Sequence, residues 1–274
     1  MISDAMLTQE YFDTMNSLDG DLAGKRSARA YMDQSSAIVH HRVVGASFIP
    51  RLYNDEVWER FRFISETIHT ILCKVIERYR SDESYRAVFD YDPRLVELIL
   101  LPRGYDAILP FARVDIFLNE DTLESAFCEL NGDGSAGLNE DREIVHSIEG
   151  SETFTRFAAH HQLESCELFK SWVSEFIAIY ETFKNKVAHP RFAICDYLDV
   201  GVVDEFRIFS EYFKQAGYEC VIADVRDLSF DGTVLRDGNG QQIDAIWRHT
   251  IDFFREIGIY PLNRNGYLYP RSNQ

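Results

Sequence analysis

RVDIFLNEDTLESAFCELNGDGSAGLNED, residues 113–141, contains two short segments in which side chains of different character alternate. A period of two is typical of β-strands, because successive side chains point to opposite faces. One face of each segment carries the chemically distinctive side chains, which are Arg113, Asp115 and Phe117, then Phe127, Glu129 and Asn131. The stretch therefore predicts two antiparallel strands joined by a loop at residues 120–124.

The register of this hairpin follows from counting outward from the loop. Counting predicts three facing pairs: Arg113 with Asn131, Asp115 with Glu129, and Phe117 with Phe127. Like charges directly across a sheet are unfavourable, so the Asp115–Glu129 pair predicts a bound cation. Two carboxylates and the amide oxygen of Asn131 suit Mg²⁺, and Arg113 would offer its planar donors to a phosphate. The ordinary alternative is an amphipathic hairpin with a solvated polar face.

The order Arg-x-Asp, Glu-x-Asn and then a small-residue loop resembles the metal and phosphate site of the circularly permuted ATP-grasp ligases. The similar members are the eukaryotic-type glutathione synthetases and the glutathionylspermidine synthetases. The resemblance implies that Arg113 contacts the transferring phosphoryl group of ATP and that Asp115, Glu129 and Asn131 hold Mg²⁺. It also implies that the loop GDGSAG contacts the substrate through Asp133, Gly134, Ser135 and Ala136.

Composition narrows the class of protein. The 274 residues are 46% hydrophobic and 27% charged, which is typical of a globular chain with a substantial core. The formal charge of −17 argues against nucleic acid or an anionic membrane surface as a partner. The five cysteines are widely spaced without a CxxC pair, and neither a signal peptide nor a long apolar run occurs. Cytoplasmic localisation is therefore expected.

The first 188 residues predict an α+β region that carries the metal-site motif. Apolar spacing of three and four predicts helices near residues 7–18, 57–79 and 93–100, before the hairpin. After it, residues 139–147 begin a polar helix, and one long helix is expected over residues 151–186. Asn54 or Asp55 can cap the second of these helices.

From residue 189 to 274 the pattern changes to a small α/β domain of the substrate-binding type. RFAICDYL and YECVIADV predict parallel strands around the amphipathic helix in VVDEFRIFSEYFKQAG. Two short strands around DG and NG turns follow, and residues 243–247 predict a further buried strand. The predicted fold class is therefore α/β, with a partial ATP-grasp-like architecture.

Arg248 lies where the resemblance places a substrate-contacting arginine, at the carboxyl end of the last predicted strand. Open α/β sheets bind ligands at that edge. The sequence departs from the glutathione synthetases just beyond it, where Asp-Gly-Tyr is replaced by His249, Thr250 and Ile251. An arginine in such a position without a ligand is ordinarily a surface ion-pair partner.

The nucleotide clamp of the permuted ligases has no counterpart in the sequence. Lys214 is the only lysine after Lys186, and neither GxxxxGK[ST] nor GxGxxG occurs. The resemblance thus implies an incomplete portion of an ATP- and magnesium-dependent ligase that joins a small-molecule carboxylate to an amine through an acyl phosphate. The alternative is a non-catalytic binding or regulatory relative that has lost the clamp. A truncated product would have an exposed apolar surface, which predicts self-association into a homo-oligomer.

A nucleophilic hydrolase is the competing enzyme class, because Ser135 lies among glycines. The sequence around it lacks the first glycine of the GxSxG elbow. Cys128 is a weak nucleophile candidate, since the alternation of its strand predicts that it faces the core.

Overall fold

The computed structural model describes residues 3–39, 42–132, 135–199 and 202–249. The helices in these ranges are α1 (Asp4–Asn16), α2 (Leu22–Met32), α3 (Asp55–Ser81), α4 (Glu83–Arg86), α5 (Pro93–Leu100), α6 (Leu138–Glu149), α7 (Glu152–Ala158), α8 (Phe169–Glu181) and α9 (Val203–Gln215). The strands are β1 (Ile38–Val39), β2 (Arg42–Val43), β3 (Arg113–Leu118), β4 (Ser125–Asn131), β5 (Arg191–Asp196), β6 (Glu219–Asp224), β7 (Ser229–Phe230), β8 (Leu235–Arg236), β9 (Gln242–Ile243) and β10 (Ala245–Arg248).

The described strands form four small sheets. β1 pairs with β2, and β3 pairs with β4, both antiparallel. A parallel sheet has the order β10-β5-β6, and an antiparallel one has the order β7-β8-β9. This arrangement confirms the predicted mixed α/β fold class, including the strand–helix–strand unit built from β5, α9 and β6.

α3 and α5 are the two helices that the sequence predicted most closely, and residues at their starts favour a helix beginning there. The carboxamide oxygen of Asn54 accepts the backbone N–H of Val57 at 3.0 Å and starts α3. α5 begins with Pro93, whose missing N–H costs nothing in the first helical turn. Both helices confirm the apolar spacing on which their prediction depended.

The expected single helix over residues 151–186 is wrong, because two helix starts lie within it. The hydroxyl of Ser151 caps α7, which ends at Ala158. The carboxylate of Glu167 then accepts the backbone N–H groups of Lys170 and Ser171, at 2.7 and 2.9 Å, where α8 begins. Residues 159–168 between them are largely polar, so a continuous helix would have no apolar face to bury there.

The core of the second half lies on both faces of β5, the central strand of the parallel sheet. Phe192 and Ile194 face a cluster built mainly from α8 and α9, to which Phe206, Phe209 and Phe213 belong. Ala193 and Cys195 face a smaller cluster on the other side of the sheet. A strand buried on both faces accounts for the continuous apolar run in its sequence.

α8 precedes residue 188 but packs with the sheet that follows it. The division into residues 1–188 and 189–274 stays a prediction. Among the described helices, none combines the length and the apolar character needed to cross a lipid bilayer.

Candidate functional site

The pairing of β3 with β4 brings the predicted polar residues together. Arg113 lies opposite Asn131, and Asp115 lies opposite Glu129, as the register count predicts. The two carboxylates are therefore cross-strand neighbours, which is unfavourable for two anions without a cation between them.

Between Asp115 and Ile116 a β-bulge shifts the register, so the pairs nearer the loop differ from the predicted ones. Ile116 pairs with Phe127, and Phe117 pairs with Ala126, so the predicted Phe117–Phe127 pair is wrong. Cys128 is the extra residue between two paired positions on β4. Its side chain is exposed, and the prediction that it faces the core is therefore also wrong.

Arg113 is held by two contacts at the open end of the hairpin. Its Nη1 donates to the carbonyl oxygen of Ala136 at 2.6 Å, and its Nε lies 3.4 Å from Oδ1 of Asp115. The side chains of Arg113 and Asp115 are both partly exposed, so the guanidinium is oriented by the protein while it remains accessible to a ligand.

Two carboxylates and one carboxamide lie together on the hairpin, at Asp115, Glu129 and Asn131. Nδ2 of Asn131 donates to Oε1 of Glu129 at 3.2 Å, so the amide and this carboxylate are adjacent. In the described part of the chain, no group of three or more His, Cys, Asp or Glu side chains is placed to hold a metal ion. A magnesium ion at Asp115, Glu129 and Asn131 would therefore complete its shell with water or with phosphate oxygens.

The turn after β4 is tied to the strand by its serine. Oγ of Ser135 donates to the backbone carbonyl of Asn131 at 3.0 Å. Gly137 follows with a positive φ of 106° and starts α6, a backbone conformation that a side chain would strain. Asp133 and Gly134, the other predicted substrate contacts of this turn, lie outside the described residues.

A cavity of about 670 Å³ joins the hairpin to the last strand of the parallel sheet. Gly132, directly after β4, lines one part of it, and β10 with Arg248 lines another. Aromatic side chains form much of the remaining wall: Phe111, Phe176, Tyr180, Phe183 and Trp247. Arg103 and Tyr105, which belong to no motif in the sequence, also line this cavity. Arg248 thus lies at a cavity that reaches the residue after β4, whereas Arg113, Asp115, Glu129 and Asn131 are not among the residues that line it.

Charged groups collect at the carboxyl ends of the parallel strands. Nδ1 of His249 lies 3.0 Å from Oδ2 of Asp196, and both side chains are buried. Next to them, the hydrogen-bonded Arg226 guanidinium holds the pKa of Asp224 well below its usual range. This is the edge at which open α/β sheets bind ligands.

Glu205 is a buried carboxylate that the sequence reading missed. It belongs to α9, and its Oε2 accepts the backbone N–H of Asn139 in the first turn of α6 at 2.9 Å. Asn139 is buried as well, and its amide donates to the carbonyl oxygen of Ser36 at 2.8 Å. An acidic residue directly beside Phe206 on an apolar helix face was the available signal in the sequence.

No family model matches the chain, and no curated protein matches it. A solved structure with a similar fold is that of a glutathione synthetase-like effector from Globodera pallida in its apo form, with a TM-score of 0.57 and 10% sequence identity. The match covers 93% of this chain and 60% of that chain, so the present chain spans less than two thirds of the length of this structural neighbour. The chain has a mixed α/β fold that is distantly similar to the fold of this glutathione synthetase-like protein.

Proposed function

We propose that this chain carries the metal, phosphate and substrate-binding portion of an ATP- and magnesium-dependent carboxylate–amine ligase of the glutathione synthetase type. The observation that carries the proposal is the cross-strand pairing of Asp115 with Glu129 beside the pairing of Arg113 with Asn131. The fold similarity to a glutathione synthetase-like protein supports the same class.

In this proposal the hairpin neutralises the charge of a phosphoryl group. Asp115, Glu129 and Asn131 would hold Mg²⁺, which supplies positive charge to the phosphate oxygens when it is bound. Arg113, fixed by the carbonyl oxygen of Ala136, would donate to the oxygens of the transferring group. Both effects are electrostatic, which is the main contribution in phosphoryl transfer.

The proposed reaction has two steps. A carboxylate oxygen of the substrate attacks the γ-phosphorus of ATP, the bond from that phosphorus to the bridging oxygen of ADP breaks, and an acyl phosphate forms. An amine nitrogen then attacks the acyl carbon, inorganic phosphate leaves, and the nitrogen loses a proton to give the amide.

The substrate would occupy the cavity between the hairpin and β10. Arg248 provides a cationic group for a substrate carboxylate at one side of this cavity. Asp133, Gly134, Ser135 and Ala136 of the turn after β4 would contact the acyl part of the substrate. Small-molecule carboxylates and amines are therefore the proposed ligands.

Two further properties belong to the same proposal. All five cysteines are free thiols, which supports a reducing compartment such as the cytoplasm. Phe117, Phe127 and Leu130 are exposed on the hairpin, and Phe117 is 69% exposed. Exposed apolar side chains of this kind support self-association into a homo-oligomer.

Release of ADP tests the proposed activity. The purified chain is incubated with ATP, Mg²⁺, a panel of amino-acid and dipeptide carboxylates, and hydroxylamine as a general amine nucleophile. We expect ADP and a hydroxamate to form only with Mg²⁺ and a suitable carboxylate, and to form slowly because the nucleotide clamp of the permuted ligases has no counterpart in the sequence. Glu129→Gln should nearly abolish both products, whereas Glu124→Gln in the exposed loop should not change them. Equal turnover in the Glu129→Gln variant would contradict the assignment.

A further inference from the structure

The turn at residues 135–137 and the residues just after it are held by hydrogen bonds from the hairpin and from α9. From the hairpin, Arg113 donates to the carbonyl oxygen of Ala136, and the backbone of Asn131 accepts from Ser135. From the opposite side, the carboxylate of Glu205 accepts the N–H of Asn139, two residues beyond the turn. Glu205 belongs to α9, which packs on the parallel sheet.

Glu205 is a carboxylate buried in largely apolar surroundings, where a residue with a purely structural role is ordinarily apolar. The residue is 2% exposed, and Oε1 has no hydrogen-bond partner among the described residues. Burial raises the pKa of this carboxyl, while the backbone N–H groups of Asn139 and Gly137 oppose the rise. Of the charged groups nearby, Glu140 raises the pKa further and His249 lowers it. A buried carboxylate is costly, so an apolar residue would fit the aromatic core of α9 better unless the backbone contact is needed.

We propose that Glu205 is a positioning residue that holds the backbone of Asn139, and through it the carbonyl oxygen of Ala136 against which Arg113 is oriented. The sheet-packed helix α9 thereby sets the geometry of the phosphate-binding arginine on the hairpin. The link to phosphate rests on the function proposed above, whereas the link from Glu205 to the turn does not.

Amide hydrogen exchange tests the positioning role directly. We compare the wild-type chain with Glu205→Gln, which keeps a carbonyl acceptor of the same shape, and with Glu205→Leu, which removes it. The backbone amide of Asn139 should exchange at similar rates in the wild type and in Glu205→Gln, and roughly tenfold faster in Glu205→Leu. Equal protection of this amide in all three proteins would overturn the proposal.

A second measurement does not depend on the folding of the leucine variant. In the wild type, the amide proton shift of Asn139 should titrate with Glu205, at a midpoint above the pKa of about 4.3 of an unperturbed glutamate. Glu205→Gln should abolish that titration. If the amide proton shift of Asn139 titrates with unchanged amplitude in Glu205→Gln, the titration comes from another group, such as Glu140 or His249. That result would contradict the proposed contact between Glu205 and Asn139.

Titration with magnesium–ATP separates this proposal from the proposed function. If both hold, Glu205→Leu binds at least about tenfold more weakly than the wild type, and Glu205→Gln binds like it. If the folded wild type does not bind magnesium–ATP, the proposed function fails, and the exchange result still decides the role of Glu205.

Discussion

Asp115 of β3 and Glu129 of β4 face each other as direct partners in an antiparallel pair. Each has one neighbouring side chain that offers a donor, since Nε of Arg113 lies 3.4 Å from Asp115 and Nδ2 of Asn131 donates to Glu129. Two anions at facing positions destabilise a sheet by a fraction of a kcal/mol to about 1 kcal/mol. The donors of Arg113 and Asn131 offset part of this repulsion, and a cation between the two carboxylates would offset more of it.

Magnesium should stabilise the folded chain through this pair. At ten times the dissociation constant, a ligand specific for the folded state adds about 1.4 kcal/mol to the free energy of unfolding. Thermal unfolding should show a rise in Tm with Mg²⁺ for the wild type and no rise for Glu129→Gln. Without Mg²⁺ the variant should be as stable as the wild type or more so, because the repulsion is gone. Glu124→Gln, in the exposed loop, is the matched control, and the same response in all three proteins would contradict the site.

Replacement of Asp21, which joins the start of α2 to Thr153 of α7, should destabilise the chain in a pH-dependent way. Burial acts to raise the pKa of Asp21, but donors from Thr153 and Gly24 hold it below its ordinary value. A carboxyl with a lowered folded pKa contributes stability above the unfolded pKa of about 3.9 and loses it as the pH falls through the folded pKa. Asp21→Ala should therefore cost about 1–3 kcal/mol at pH 7 and less in acid.

Urea unfolding at several pH values measures this difference. Asp33→Ala is the control, because its ion pair with Arg29 is largely exposed and should contribute less than about 1 kcal/mol. A constant difference between wild type and Asp21→Ala from pH 7 to pH 3 would contradict the prediction.

Gly24→Ala should destabilise the chain, although alanine is the better helix former by about 1 kcal/mol. A Cβ at residue 24 would lie 2.6 Å from Oδ2 of Asp21, too close for any native contact. The carboxylate would have to leave the N–H and hydroxyl of Thr153. Gly150→Ala is the control, because nothing lies within 4 Å of its added Cβ. A Gly24→Ala variant with a Tm equal to or above that of the wild type would refute the packing described for α2.

Thiol reactivity should follow burial. Burial raises the pKa of Cys195 and of Cys220 to about 12, so at pH 8 both remain protonated and enclosed. Iodoacetamide should modify exposed Cys128 in the native chain and reach the two buried residues only after unfolding. Burial also raises the pKa of Cys166, which should react more slowly than Cys128. Peptide mass spectrometry measures each site, and native modification of Cys195 would contradict the described core.

Local periodicity was sufficient to predict the parts of the fold in which one face is buried or one pair dominates. The unit from β5 to β6 follows from apolar runs separated by an amphipathic helix. The pairs of Arg113 with Asn131 and of Asp115 with Glu129 match the count only because the bulge at Cys128 offsets a one-residue shift at the loop, where Leu118 pairs with Ser125. α3 was predictable because its apolar spacing continues over many turns.

The bulge at Cys128 and the contact of Glu205 with Asn139 could not be predicted in the same way. A bulge changes the count by one residue without any mark in the alternation of β4. Glu205 and Asn139 are 66 positions apart, so only the packing of α9 near the start of α6 brings them together. The carboxylate of Glu167 accepts backbone N–H groups where α8 begins, and glutamate is not among the residues that usually mark a helix start.

Isothermal titration calorimetry with magnesium–ATP tests the central claim most directly. The full 274-residue chain is titrated beside Glu129→Gln and Glu124→Gln, and circular dichroism establishes that all three are folded. The account predicts that the wild type and Glu124→Gln bind magnesium–ATP and that Glu129→Gln loses this binding. Folded wild-type protein that gives no heat of binding would contradict the claim and would favour a non-catalytic binding or regulatory protein built on the same fold.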